Sequence, residues 1–326
     1  MKPDFSVTSN GNDITADIAD RLLKLSVKDE AGLKSDTCSI ELDDRDQKLS
    51  LPATGVELEI KVGFENLVSL GKYTVDEVTV KHPPSRVSVK GKAMQDDFKT
   101  KKTRSWDDKY ISEIVAQIGM EHGLNSRVAS QFQGIKIEHI DQTEESDINF
   151  LTRLGKDHGA VVKPAGGMLL FVNQGEGKSA SGQSLGTAEI LLEECISWSA
   201  TVSERGNYET VTARFNDKET GLEQTVSAGL ITGNEDGLTH KIKKLYPTEL
   251  EALDAAESEL KSLNTGKISV NLTIIGRTDI FAERPIKLTG FRSDPVSGNF
   301  TIHSVTHELS SNGYITKIDC SNKDAS

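Results

Sequence analysis

Several stretches of this sequence hold side chains that could do chemistry if brought together. Glu138-His139-Ile140-Asp141-Gln142-Thr143-Glu144-Glu145-Ser146-Asp147 gathers carboxylates around one imidazole. A calcium loop of EF-hand type wants a central glycine and a closing bidentate glutamate, and neither is present. The carboxylates read instead as helix-capping and solvated groups. His303 and His307 are four apart, a spacing that would converge on a helix. Their surroundings are strand-like, so about 13 Å of extended chain lies between them, too far for one metal. Gly175-Glu176-Gly177-Lys178-Ser179 has the end of a phosphate-binding loop, but Val172 stands where its first glycine belongs. HExxH and GxSxG are absent, and no serine or cysteine sits in the setting of an activated nucleophile. No catalytic, cofactor-binding or metal-ligating residue is therefore assigned, and no cofactor is expected. Lys99-Thr100-Lys101-Lys102-Thr103-Arg104 is the main basic cluster. It could meet an acidic partner or a phosphate backbone; without interleaved aromatics, a solvated loop before a helix is the favoured reading. Trp106 beside it reads as a packing anchor.

The elements that would position these groups are mostly strands. Val56, Leu58, Ile60, Val62 and Phe64 alternate with Glu57, Glu59, Lys61 and Gly63, the period of a sheet buried on one face. Leu23, Leu25 and Val27, Ile40 and Leu42, Val78 and Val80, and Val87 and Val89 continue the pattern. Turn residues separate these runs, which favours a barrel or sandwich over residues 1–95. From 96 to 175 the period changes. Ile111, Ile114, Val115 and Ile118 mark an amphipathic helix that Gly123 can end. A second helix is expected from Ser146, carrying Ile148, Leu151 and Leu154, with acidic residues at its dipole-favoured start. A hairpin turning at Pro164-Ala165-Gly166-Gly167 completes an α+β block. Residues 174–184 read as a linker or exposed loop. Strands resume around 196–202 and 210–215. A helix of about 248–264 starts from a Thr248/Glu251 capping box, with Leu253, Ala256, Leu260 and Leu263 as its buried stripe. Alternation returns at Ile268, Val270, Leu272 and Ile274.

Composition excludes several classes. The 326 residues include 50 acidic and 38 basic ones, a net charge of −12, with 36% hydrophobic and 27% charged residues. That balance supports a packed core and argues against coating duplex DNA, which needs a strong positive field. No apolar run approaches a bilayer span and no signal sequence is evident, so neither a membrane protein nor Sec-dependent secretion is expected. Cys38, Cys195 and Cys320 are widely spaced and are expected as reduced thiols.

One internal comparison stands out. At a constant offset of 227 residues, Gly63-Phe64 matches Gly290-Phe291, and Gly71–Thr79 matches Gly298–Thr306. What is kept is glycine at turns and β-branched or aromatic residues on one strand face. Two hairpins of common design could produce this; the preferred reading is two related β domains flanking the α+β block.

Gly11-Asn-Asp-Ile-Thr15, Asp20-Arg-Leu-Leu23, Ile40-Glu-Leu-Asp-Asp44, Gly71-Lys-Tyr-Thr-Val-Asp76 and Lys102-Thr-Arg-Ser-Trp106 resemble segments of the phage late control gene D proteins. So, above all, does His139–Asp147 leading to Phe150-Leu-Thr-Arg-Leu154 and Gly159-Ala160. The run Glu-Ser-Asp before Phe-Leu-x-Arg-Leu is also similar to the hub portion of type VI secretion VgrG proteins. The resemblance implies a β-rich α+β tail-hub architecture: a first β-barrel domain (1–95), an α+β middle domain (96–175) and a second β-barrel domain (176–326). It implies a non-enzymatic homotrimer forming a pseudo-six-fold ring that joins the six-fold tail tube protein to the three-fold spike protein. Other baseplate proteins and the tape measure are further implied partners; sequence-specific nucleic-acid binding is not. The implied place is the virion tail baseplate, assembled in the host bacterial cytoplasm. VgrG proteins continue into a spike, so hub and spike are expected here as separate polypeptides. A contractile bacteriocin or type VI-like particle would need the same hub. A tail-associated cell-wall hydrolase, with paired carboxylates, is the alternative from another class.

Overall fold

The computed structural model describes residues 2–31, 35–93, 96–165, 168–173, 186–202, 208–217, 220–229, 238–264, 268–292 and 296–322. The first strands are β1 (Asp4–Ser9), β2 (Asn12–Asp13), β3 (Leu22–Glu30), β4 (Thr37–Asp43), β5 (Glu57–Gly63), β6 (Leu67–Lys81) and β7 (Arg86–Lys92), with a short α1 (Thr15–Ala19). Then come β8 (Lys101–Tyr110), α2 (Ile111–Glu121), β9 (Asn125–Val128), α3 (Ser130–Gln133), β10 (Lys136–Ser146), α4 (Asp147–Asp157), β11 (Ala160–Ala165) and β12 (Met168–Asn173). The rest is β13 (Ala188–Leu191), β14 (Cys195–Val202), β15 (Tyr208–Asn216), β16 (Glu223–Gly229), β17 (Leu238–Tyr246), α5 (Glu249–Asn264), β18 (Ile268–Ile275), β19 (Pro285–Thr289), β20 (Gly298–Ser310) and β21 (Gly313–Asn322). The chain is β-rich with few helices. No helix among the described residues is long and apolar enough to cross a membrane.

Early and late strands share one 13-stranded sheet, ordered β14-β18-β21-β20-β3-β4-β7-β6-β5-β1-β2, with β19 also on β20 and β13 on β19. Its two halves run in parallel order. The first is β3-β4-β7-β6-β5-β1, the second β14-β18-β21-β20-β19-β13. The irregularities coincide too. Leu23 is the extra residue where β3 meets β4, and Ile196 is the extra residue where β14 meets β18. Asp76 bulges from the β6–β7 ladder and His303, 227 residues on, from the β20–β21 ladder. Gly71 and Gly298, at the same offset, have φ of +127° and +134°, a backbone region that disfavours any side chain. Common hairpin chemistry alone does not place two bulges and a strained glycine at matched positions. One pairing differs: β13 runs parallel to β19, whereas β1 runs antiparallel to β5.

Each half encloses its own core, built from the residues that alternation picked out. Val7, Leu25, Val27, Ile40, Leu58, Ile60, Val62, Tyr73, Val75, Val87 and Val89 form the first. Both outer strands, β1 and β3, contribute to it, so this half curls about its apolar face. Ile190, Val270, Leu272, Ile274, Ile286, Leu288, Phe300, Ile302 and Ile318 form the second. The halves are fused where β20, past its bulge, pairs antiparallel with β3, from Ser304 opposite Glu30 to Ser310 opposite Lys24.

The middle block holds the β10-β8 pair, the β11-β12-β9 sheet and α2, α3 and α4 around a third core. Both expected helices are present, and Gly123 takes the left-handed turn after the first (φ +68°). Ala165 pairs with Met168 across the expected hairpin; Gly166-Gly167, the 174–184 segment and Gly175–Ser179 lie outside the described residues. The expected late helix is α5, with the Thr248 hydroxyl accepting from Glu251 N at 3.3 Å. Its buried stripe keeps the expected Ala256, Leu260 and Leu263 but takes Ala252 and Ala255 in place of Leu253. Ala252, Ala255 and Ala256 face the sheet, with Leu260 and Leu263 partly covered, and Leu253 stands outside that core. Alanines let helix and sheet approach closely, so they take the seat that size alone would give leucine. The helix does not stand alone, either: β16-β15-β17 forms its own sheet against it, inserted between β14 and β18. The strand around 210–215 thus belongs to this insertion and not to the large sheet.

A part-buried charge cluster ties the parts together. Lys163 Nζ on β11 bonds Asp29 on β3, the Glu30 carbonyl at 2.7 Å and Asp36 at 3.0 Å. The other Asp29 oxygen accepts from Ala282 N at 2.8 Å, in the second half. Burial pushes the Asp36 carboxyl up to about 6, the Lys163 charge only partly offsetting it. A raised carboxyl favours the folded state most below its unfolded pKa, and that contribution is lost as pH rises through about 6. Asp36→Asn should therefore flatten the fall in urea stability between pH 4 and 6. Lys163→Met, which leaves two part-buried carboxylates together without their cation, should cost about 3 kcal/mol at pH 7.

Candidate interaction site

The Glu-Ser-Asp run is built as a clamp. Ser146 caps α4 by accepting from Asn149 N (3.4 Å), which leaves Asp147 as the first helical residue, fully buried. Four donors from three elements converge on its carboxylate. They are Lys102 Nζ (2.6 Å) and Arg104 Nη2 (2.7 Å) from β8, His122 Nε2 (2.8 Å) at the end of α2, and Gln142 Nε2 (2.8 Å) from β10. Burial would raise the Asp147 carboxyl, but bonds from Gln142, Lys102 and His122 and the Arg104 charge outweigh it, holding the group down at about 2. Glu121 takes the second bonds of the same two cations, at 2.8 and 2.6 Å. The His122 ring stacks on Phe98 at 3.8 Å, and Trp106 stacks on Phe150 at 5.8 Å. Glu145 binds Arg153 at 2.7 Å, closing the clamp at the other end of α4's first turns.

This arrangement corrects two sequence expectations. The Lys99–Arg104 cluster is not a solvated loop: from Lys101 it is strand β8, and cross-strand register sets Arg104 opposite Gln142 and Lys102 opposite Glu145. Nor are the acidic residues all capping or solvated, since Asp147 is the anchor those cations share. Sequence proximity hid this, because the partners lie some forty residues apart. Trp106 is the buried packing anchor expected of it. His303 and His307 lie on strand β20 and face different partners. His303 meets Ser321 at 2.6 Å; the buried His307 sits between the Tyr314 hydroxyl (2.8 Å) and the Ile280 carbonyl (3.1 Å). Among the described residues no group of three His, Cys, Asp or Glu side chains is placed to hold a metal ion.

A groove between β10, α4 and the Lys244–Pro247 segment carries several carboxylates. Each is engaged: Asp141 with Ser105, Glu145 with Arg153, Asp157 with Lys244, and Glu251 in the α5 cap region. None pairs with another as a general acid and base would.

Among the described residues, two open edges of the large sheet carry exposed apolar side chains. β14 ends the sheet path, and its outer side shows Ile196, Trp198 (39% exposed) and Val202 (62% exposed). β6 pairs with β5 only as far as Thr74, so Glu77–Lys81 has no strand on the side away from β7 among the described residues. Val80 there is 56% exposed although it lies opposite the buried Val87. Open edges with apolar side chains are the surfaces on which sheets associate.

Asp147→Asn should remove the charge that Lys102 and Arg104 share and cost about 3 kcal/mol in urea denaturation. Because the Asp147 pKa is depressed, the wild-type contribution is present above pH 4 and fades as pH falls towards 2; the variant should lack that acid-dependent loss.

The comparisons with known proteins agree with this geometry. The chain is similar to two proteins named "Probable baseplate hub protein". One, of Escherichia phage P2, is 29% identical over 98% of this chain and 93% of its own. The other, of Escherichia phage 186, is 28% identical over 98% and 92%. Among solved structures it resembles the 43 kDa tail protein of prophage MuSo2 from Shewanella oneidensis (TM-score 0.71, 15% identity, 98% of both chains). It also resembles a tail protein from Neisseria meningitidis MC58 (TM-score 0.74, 10% identity, 99% and 97%). The c3393 protein of E. coli, described as a type VI secretion component similar to bacteriophage T4 tail proteins, shares the fold over 94% of this chain and 76% of its own (TM-score 0.58, 10% identity). The profile described as phage tail baseplate hub (GPD) matches residues 92–313, and the chain belongs to that family.

Proposed function

We propose that this baseplate hub works as a symmetry adaptor. Three copies, each supplying two related barrel-like β domains, form a ring of six that seats the six-fold tail tube above the three-fold spike. The observation that carries this reading is the repeated strand order of the large sheet, with matched bulges at Asp76 and His303. Two like modules per chain and a threefold oligomer give six like positions, and a closed ring satisfies every interface. Residues 1–95 and 176–326 are the ring-forming domains in this reading. The middle block, 96–175, lies outside the ring and meets other baseplate proteins. The spike, tube and tape measure proteins are its partners in the virion tail baseplate.

The role is mechanical and not enzymatic: the hub holds the spike and passes on the thrust of sheath contraction. The family supports this, as do the groove carboxylates, each committed to a structural partner. The likeness to a type VI component leaves a bacteriocin or secretion particle as a second setting for the same hub. The net charge of −12 supports a lumen that passes DNA without holding it. Purified hub should accordingly leave duplex DNA unshifted in a gel at about 0.15 M salt, where non-specific binders rely on phosphate contacts. Light scattering should give the mass of three hub chains, alone or on top of the mass of the bound spike protein. A single-chain mass in both conditions overturns the adaptor.

A further inference from the structure

The chain contains, within itself, a template for how it joins its neighbours. β20 divides its partners along one side. Gly298–Thr301 pairs with β19 of its own half, and Ser304–Ser310 pairs with β3 of the other half. β6, its counterpart 227 residues earlier, divides in the same way: Leu67–Thr74 pairs with β5, and Glu77–Lys81 pairs with nothing on that side among the described residues. β3 is matched in the second half by β14, which among the described residues is likewise without a partner on its outer side. The molecule thus ends in one half of a joint at β6 and the complementary half at β14.

We infer that Glu77–Lys81 of one copy pairs antiparallel with β14 of a second copy, in the register the chain uses internally. The occupant of each open edge is therefore another copy of this chain, and the inference rests on the ring reading above. The internal ladder sets Val305 opposite Asp29 and His307 opposite Val27. Offset and matched bulges carry these to Val78 opposite Val202 and Val80 opposite Ala200.

Burial supports the transfer. His307, Val27 and Leu25 are buried at the joint inside the chain, whereas their counterparts Val80, Ala200 and Trp198 are partly or largely exposed. Val78 and Val80 lie opposite Val89 and Val87 on the core-facing side of the sheet, so they point at a core that one copy leaves uncovered. The inferred pairing covers Val80 and Val202 with each other's strands and brings no like charges face to face: Ser199, Ala200, Thr201 and Val202 are uncharged. The two edges differ, so the contact is head-to-tail. Such a contact either closes a ring or runs on as a filament.

The test is disulfide trapping in the full-length chain. Directly opposed antiparallel residues sit within the Cα range a disulfide spans. V78C and V202C are introduced together in a Cys195→Ser background; Cys38 and Cys320 are buried. Mild oxidation should give a ladder ending at three chains on a non-reducing gel, with one linked peptide containing positions 78 and 202. V78C with T201C, whose side chains point to opposite sheet faces, should give none. Val202→Lys, at an exposed site in the single chain, should lower the assembled fraction at least tenfold while leaving the melting of the dissociated chain unchanged. A three-chain mass without the V78C–V202C product, or with the V78C–T201C product instead, overturns the pairing and leaves the adaptor standing. A single-chain mass with no product overturns both.

Discussion

An extended strand carries hydrogen-bonding groups on both sides, and each must find a partner or meet water. In this molecule β20 meets that requirement by serving two sheets: its start completes its own half and its end completes the other. The bulge at His303 sits between the two ladders and turns the strand from one to the other, as an extra residue does by bending and twisting its strand. The rest of the architecture follows. Both halves become one sheet, β3 is paired on both sides over Lys24–Lys28, and Asp29 is placed where β11 and the Ala282 backbone can both reach it.

The clamp on α4 explains physically why the residues carrying the family resemblance are of the types they are. Ser146 caps, Asp147 anchors, Glu145 and Arg153 pair, and Phe150, Leu151 and Leu154 fill the core. Lys102 and Arg104 supply the cations, and Trp106 packs between the guanidinium of Arg104 (4.5 Å) and the ring of Phe150. The motif holds two strands and two helices in place around one buried charge. Such an anion contributes only while its donors stay aligned, so the network rewards a single arrangement of the block.

Much of the fold was legible in the sequence because alternation and periodicity report burial directly. Leu58, Ile60 and Val62, or Val270, Leu272 and Ile274, could face only a core, and the second middle helix began at the Ser146 expected to start it. The repeat was legible for the same reason: glycines with positive φ and β-branched residues are fixed by backbone geometry. What stayed hidden depends on long-range register. Nothing in Lys102-Thr103-Arg104 says that β10 will lie beside it, so the cations looked solvated. The sheet packed on α5 was also hidden, because β15 alternates as a member of the large sheet would, and only tertiary placement separates them. Val80 carried the strongest unread signal: an alternation-predicted core position that the single chain leaves in water.

The insertion between β14 and β18 has a consequence of its own. The corresponding β3–β4 connection in the first half spans only six residues. Two units alike in their inner strands therefore differ in what they project from one hairpin. A component that grips the shared strands would find two equivalent footholds on every chain; one that grips the projection would find a single foothold. One polypeptide can in this way answer to two different counts, according to which of its surfaces is touched.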